Sequence, residues 1–206
     1  MQLFSEQSFE NFLSSHNKKD LRMLGYRPSS VLALLFHLHG EPHLLLTVRN
    51  HKVRHHKGEV CFPGGVFEPH DQDLAQTALR ETHEELRIAP DQIKILGELD
   101  DVITPTQFCI SPFVGWIDGK PVFEINFDEM SEVLMVPLSF FLNQENLRFE
   151  IREFQSHLHR MPYYLWNNYR IWGATARIVY QLVEKIAEFA PSHLRQTQAV
   201  FLESVQ

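Results

Sequence analysis

Cysteine is nearly missing from this chain: Cys61 and Cys109 are the only two in 206 residues. Two cysteines cannot build the disulfide framework of a small secreted domain, and both lie in apolar runs where a small buried thiol is expected. Long apolar runs are missing too. The best one, Val31 to Phe36, falls far short of the ~20 residues that a membrane span requires. The first residues, Met1 to Glu6, lack the basic and apolar regions of a secretory leader. No repeat, low-complexity tract or Gly/Ser-rich linker divides the chain. Positive charge is in deficit: 19 Lys and Arg stand against 26 Asp and Glu, a net charge of −7. That balance argues against a nucleic-acid coat or a binder of anionic membranes.

What remains is ordinary globular material, 44% hydrophobic and 22% charged. The length suits one domain, 1–206, against ~100–200 residues per domain. Together these point to a soluble protein of a reducing compartment, with the cytoplasm as the default.

The pattern predicts a helix over residues 5–25, built on Phe9, Phe12, Leu13, Leu21 and Leu24. Val31–Leu38 and Leu44–Arg49 flank Gly40-Glu41-Pro42 and read as a hairpin. Val60–Phe62 is a short strand stopped by Pro63-Gly64-Gly65. A helix runs from about Leu74 to Arg87, with Asp73 and Gln76 spaced as a capping box. Ile93–Leu99, Cys109–Ile117 and Leu147–Phe154 read as strands, Pro137–Leu142 as a short helix and Gly173–Phe189 as a longer amphipathic one. Without regular βαβ alternation, the expected class is α/β (α+β), a mixed sheet between helices.

The helix after the glycine pair carries the chemistry. Leu74, Ala78, Leu79 and Leu86 share its apolar face, while Glu81, Glu84 and Glu85 form a stripe beside it. Three carboxylates within one turn repel one another, and near a helix C-terminus the macrodipole makes matters worse. No lysine stands four residues from Glu81 or Glu85 to relieve them. A hard divalent cation, Mg²⁺ or Mn²⁺, resolves the conflict, since it takes a few carboxylates and completes its shell with water and substrate phosphates. A solvated acidic face is the plain alternative. Upstream, Arg49-Asn50-His51-Lys52-Val53-Arg54-His55-His56-Lys57 holds four fixed positive charges, suited to an anionic substrate.

Together these residues resemble the Nudix box, Gly-x5-Glu-x7-Arg-Glu-U-x-Glu-Glu-x-Gly-U with U apolar: Gly65, Arg80-Glu81, Glu84-Glu85 and Ile88 fill their places over about 65–88. Four positions depart from it. Asp71 stands for the first Glu, one extra residue precedes Arg80, Thr82 replaces an apolar residue and Arg87 replaces the last glycine. A second stretch, Leu45-Leu46-Thr47-Val48-Arg49-Asn50 with Arg54, Gly58 and Phe62-Pro63-Gly64-Gly65, resembles the signature of the coenzyme A pyrophosphatase branch, with Asn50 the one substitution. Similarity extends from Arg27-Pro28 to Trp172–Ala176, leaving residues 1–28 as an N-terminal helical extension.

The resemblance implies a Nudix-type α/β/α sandwich and a hydrolase. Its substrate would be the diphosphate of coenzyme A or a derivative, split into 4′-phosphopantetheine and adenosine 3′,5′-bisphosphate. It implies that Glu81, Glu84 and Glu85 hold Mg²⁺ or Mn²⁺, that Arg80 orients them, and that Glu129, ahead of Pro137-Leu138, is the candidate base. Coenzyme A carries a 3′-phosphate besides its diphosphate, so Arg49, Lys52, Arg54 and Lys57 are the candidate phosphate binders, with Gly64 and Gly65 at the substrate loop. For Trp166, Tyr169 and Trp172 core packing is expected over stacking on a base. The partner is a small molecule, without nucleic acid or membrane; a homodimer is allowed but not dictated. A Nudix hydrolase of ADP-ribose, NADH or a dinucleotide is the alternative, followed by a non-catalytic Nudix-like binding module.

Overall fold

A computed structural model of the chain describes residues 4–22, 25–52, 57–154 and 157–189. Helix α1 (Glu6–Ser14) is followed by β1 (Arg27–Leu38), β2 (Glu41–Arg49), β3 (Val60–Cys61) and β4 (Gly64–Val66). Then come α2 (Leu74–Leu86), β5 (Lys94–Glu98), β6 (Val102–Ile103), β7 (Phe108–Ile117), β8 (Met130–Pro137) and α3 (Leu138–Leu142). The chain continues with β9 (Leu147–Phe154), β10 (His157–Trp166), β11 (Tyr169–Ile171) and α4 (Gly173–Phe189).

Strands β1 to β8 make one mixed sheet with the path β3-β2-β1-β7-β5; β8 pairs with β2, β4 with β1 and β6 with β7. Its centre is the parallel pair β1–β7, registered Arg27 to Phe108 and Phe36 to Ile117. The other pairings are antiparallel. Strands β9 to β11 form a second, three-stranded sheet.

Strand β1 is buried on both faces, and its side chains divide the core by alternation. Leu32, Leu34 and Phe36 face α2 through Leu74, Ala78 and Leu86. Ala33 and Leu35 face the opposite layer, where Phe9, Phe12 and Leu13 of α1 meet Ala176, Val179, Leu182 and Ile186 of α4. Each fully buried Leu or Phe contributes ~1.5–3 kcal/mol. The molecule is therefore a mixed sheet between helical layers, as the pattern predicted. Among the described residues, no helix is long and apolar enough to cross a membrane.

Helix α2 starts and stops for local reasons. The Asp73 carboxylate accepts from the Gln76 backbone N–H at 2.8 Å, half of the expected capping box. The Gln76 side chain accepts from the Gln72 N–H, not from Asp73. At the far end Arg87 takes a left-handed conformation, φ 56°, and its N–H closes on the His83 carbonyl at 2.8 Å. Thr82 buries because its hydroxyl donates to the Ala78 carbonyl at 2.7 Å, so it fills an apolar position.

The N-terminal helix is shorter than expected, ending at Ser14 instead of near residue 25. Beyond it, tertiary bonds replace helical ones. His16 pairs with Asp100 at 2.8 Å, the Lys19 N–H donates to Asp100, and the Leu21 N–H donates to Asp101. Lys18 pairs with Glu98 and Asp101. Arg27 and Pro28 open β1, so the extension is not helical to residue 28. Leu24 lies outside the described residues.

Candidate active site

The β1–β4 pairing delivers the glycine pair to α2: Val31 stands opposite Gly64, and Ser30 opposite Gly65. A side chain on Gly64 would run into the Ser30 carbonyl and the Val31 backbone, and its φ of 155° also favours glycine. A side chain on Gly65 would occupy the place of the Glu81 carboxylate. The loop glycines thus let a carboxylate of α2 lie directly against backbone.

The three glutamates do not share one environment. Glu84 is 47% exposed at the solvent edge, whereas Glu85 is 1% exposed. Glu81 lies between them in accessibility. Burial pushes the Glu81 carboxyl up against the lowering influence of Arg80. Burial pushes Glu85 up further; Arg49 opposes this, and the Glu81 and Glu129 charges add to it. The Gly64 N–H donates to the Glu85 carboxylate, yet Glu85 Oε2 has no hydrogen-bond partner.

Arg80 ties the stripe together. Its Nη1 donates to Glu81 Oε1 at 2.9 Å and to Glu84 Oε2 at 3.1 Å, relieving part of the repulsion. Its Nε and Nη2 hold Asp71 at 2.9 and 3.1 Å, and Nη2 also reaches the Val66 carbonyl. Asp71 is buried and also accepts from Thr77 Oγ1 and the Glu68 N–H, both at 2.9 Å. The Arg80 hydrogen bonds hold its carboxyl well below the usual range, despite the cost of burial. Asp71, a departure from the box at the level of motif, is thus the anchor of Arg80.

Glu129 comes from another segment, residues 124–130, which caps the C-terminus of α2. The Glu124 and Asn126 N–H groups donate to the Leu86 and Glu85 carbonyls at 2.9 and 2.8 Å. The Asn126 carboxamide donates to Glu129 Oε1 at 3.1 Å, and the Asn126 carbonyl accepts from Glu129 and Met130. Asn50 straps the same loop from β2. Its N–H donates to the Glu129 carbonyl at 2.7 Å, and its side chain donates to the Phe127 carbonyl. Sequence reasoning missed Asn126 altogether and treated Asn50 only as a substitution; no local pattern marks either one.

Beside Gly64 and Gly65 opens a cavity of about 480 Å³ between β3, β4, the 104–108 turn and the first turn of α4. Arg49 lines it, with Nε buried and without a hydrogen-bond partner. Cys61 lines it too, and burial pushes its thiol up to about 11. Lys57 is exposed in a turn and does not line this cavity. Lys52 is exposed as well, and Arg54 lies outside the described residues. Of the three aromatics expected in the core, Trp166 packs on Phe140 at 4.7 Å and Tyr169 bonds Glu132. Trp172 departs from expectation: it lines the cavity, with the Arg152 guanidinium 4.5 Å from its ring centroid.

Among the described residues no three Asp, Glu, His or Cys side chains form a closed metal cage. A hard divalent cation does not require one, since Mg²⁺ is usually held by one or two carboxylates plus water and substrate phosphates. One buried carboxylate with an unpartnered oxygen, Glu85, and one half-buried, Glu81, fit that requirement.

The NUDIX domain family matches residues 26–157. The chain is 34% identical to an uncharacterized Nudix hydrolase, NudL, of Photorhabdus laumondii, over 71% of this chain and 78% of that protein. It is 34% identical to the mouse peroxisomal coenzyme A diphosphatase NUDT7, over 79% of this chain and 72% of that one. Identity to the human mitochondrial coenzyme A diphosphatase NUDT8 is 37%, over 74% of this chain and 67% of the relative.

Proposed function

The chain belongs to the NUDIX family and is a Nudix hydrolase, and on that premise we propose that it cleaves the diphosphate of coenzyme A or a close derivative. The products would be 4′-phosphopantetheine and adenosine 3′,5′-bisphosphate. The observation that carries this reading is spatial. The stretch Leu45–Gly65 that resembles the coenzyme A signature supplies β2, β3 and β4, which bring Arg49 and the glycine pair to the cavity beside Glu81 and Glu85.

Nudix hydrolases use divalent metal ions; here Glu81 and Glu85, with Glu84 directly or through water, would hold Mg²⁺ or Mn²⁺. When bound, the cation supplies charge neutralisation at the diphosphate and a lowered pKa for water. Arg80, anchored by Asp71, keeps Glu81 and Glu84 in position. Arg49 offers its free Nε–H to a phosphate oxygen, and Arg54 and Lys57, close to it in the sequence, remain candidate phosphate binders. Glu129, steadied by Asn126, takes a proton from the attacking water. The water oxygen forms the new P–O bond as the bridging P–O bond breaks, and two phosphomonoesters leave.

The test is a hydrolysis panel of coenzyme A, ADP-ribose, NADH and diadenosine compounds with each metal. Release of 4′-phosphopantetheine with the highest kcat/KM in the panel is the expected result. Far faster turnover of ADP-ribose overturns the substrate assignment, and no turnover at all favours a binding module.

A further inference from the structure

The cavity beside the glycine pair has a second arginine in its lining. Arg49 acts on Glu85, whereas the Arg152 guanidinium lies over the Trp172 ring, 4.5 Å from its centroid. Arg152 reaches this place from β9, where its partner across the ladder is His159. Its Nε donates to Glu150 at 2.6 Å, and Arg170 donates to the other oxygen of the same carboxylate. One carboxylate between two guanidiniums leaves the group with a net positive charge.

The hydroxyls of the lining are already engaged. Ser29 and Ser30 donate to the Cys109 and Ser111 carbonyls, and Thr175 donates to the Val60 carbonyl. Among the described residues, Arg49 and Arg152 are the two cationic side chains that line this cavity, against one carboxylate, Glu59. With Nε given to Glu150, the Arg152 guanidinium over the ring offers its Nη groups as donors to phosphate. Its orientation is also set beforehand, which lowers the entropy lost on binding.

We propose that Arg152, held on Trp172, binds a phosphomonoester that the substrate carries away from its scissile diphosphate. The enzyme thereby selects nucleotide diphosphates bearing an additional phosphate. The inference rests on the diphosphatase reading above; in coenzyme A the group is the 3′-phosphate. Trp172 is the positioning residue, and the fork is supplied by Arg152.

Paired kinetics with coenzyme A and dephospho-coenzyme A test it, together with calorimetric binding of adenosine 3′,5′-bisphosphate and AMP. Wild type is expected to favour coenzyme A by roughly ten- to hundredfold in kcat/KM, the scale of hydrogen bonds to a charged group. Arg152→Ala should raise KM for coenzyme A by that factor, leave dephospho-coenzyme A within about twofold, and erase the preference for the bisphosphate over AMP. Arg152→Lys keeps the charge without the fork and should retain only part of the preference. Both substrates are compared on one preparation, so loss of folded protein cancels in the ratio. Equal losses on both substrates, or an unchanged ratio, overturn the inference and leave the diphosphatase reading standing. A wild type that cleaves neither compound overturns that reading itself.

Discussion

Replacing Glu85 with glutamine separates a metal ligand from a structural residue. The carboxylate is almost fully buried, accepts from the Gly64 N–H and leaves Oε2 unpartnered. Glutamine keeps the length, the helix propensity and the acceptor for Gly64, and it removes the charge. Relief of the i,i+4 repulsion from Glu81 is worth ~0.2–0.5 kcal/mol. Removing a buried charged oxygen without a partner is worth roughly 1–3 kcal/mol, part of which the new amide N–H takes back. A net gain of about 1 kcal/mol shifts Tm by ~2–4 °C in a chain of this size. Metal-free Glu85→Gln should therefore melt at or slightly above metal-free wild type. Metal should reverse the order: a cation at a hundred times its Kd adds ~2.7 kcal/mol to the protein that binds it, and the variant should gain far less. Turnover should fall by roughly two or more orders of magnitude, the scale of removing a key electrostatic group. Thermal melts with and without Mn²⁺, beside hydrolysis rates, read all three. A variant that melts lower without metal, gains as much as wild type from Mn²⁺ and keeps near-normal turnover would refute the placement of the metal on Glu85.

Asp71→Asn should cost about 3 kcal/mol, as when one partner of a buried ion pair is removed, and lower kcat through a loosened Arg80. The folded-state pKa of Asp71 lies below its unfolded value near ~3.9, so the pair's stability is present above about pH 4 and is lost as pH falls below it. An acid-unfolding curve should accordingly be shallower below pH ~4 in Asp71→Asn than in wild type, and superimposable curves would count against the pair. Gly64→Ala meets fixed backbone and should lower Tm by several degrees, about 1–3 kcal/mol of strain. Gly65→Ala meets the end of a flexible side chain, so it should fold normally but bind Mn²⁺ weakly in a titration. Asn126→Ala frees the Glu129 carboxylate and should lower kcat by about tenfold or more with little change in KM. A changed KM with unaltered kcat would place Asn126 in binding.

The legible elements were those whose cause is local. Helix α4 carries a clean helical period, and α2 has a polar cap at Asp73 and an apolar stripe, so both match the sequence reading within a residue or so. Strand β1 begins four residues earlier than its apolar run, because Ser29 and Ser30 bury by donating to carbonyls of β7, which no pattern shows. Strands β8 and β10 were missed. In β10, His157 to Arg160 are exposed polar residues apart from Leu158, which leaves no alternation to read. The site divides the same way. Gly64–Gly65 and the glutamate stripe are neighbours along the chain, whereas Asn126, Arg152 and Trp172 reach the site through pairings that connect distant segments.

The parallel pair at the centre of the sheet also governs when the enzyme can come into being. It joins segments 80 residues apart, and closing so long a loop before any contact rewards it makes folding slow. On the ribosome, α2 with its glutamates emerges before β7, yet Phe113 and Ile117 of β7 form part of the surface on which α2 rests. A nascent chain can thus display every carboxylate of α2 without a floor to seat them. Gly115 belongs to that floor, where an added side chain would press on Leu32 and Ile93. Substitutions there are expected to lower the yield of folded enzyme more than the turnover of the molecules that mature, which soluble yield and kcat measured side by side would check.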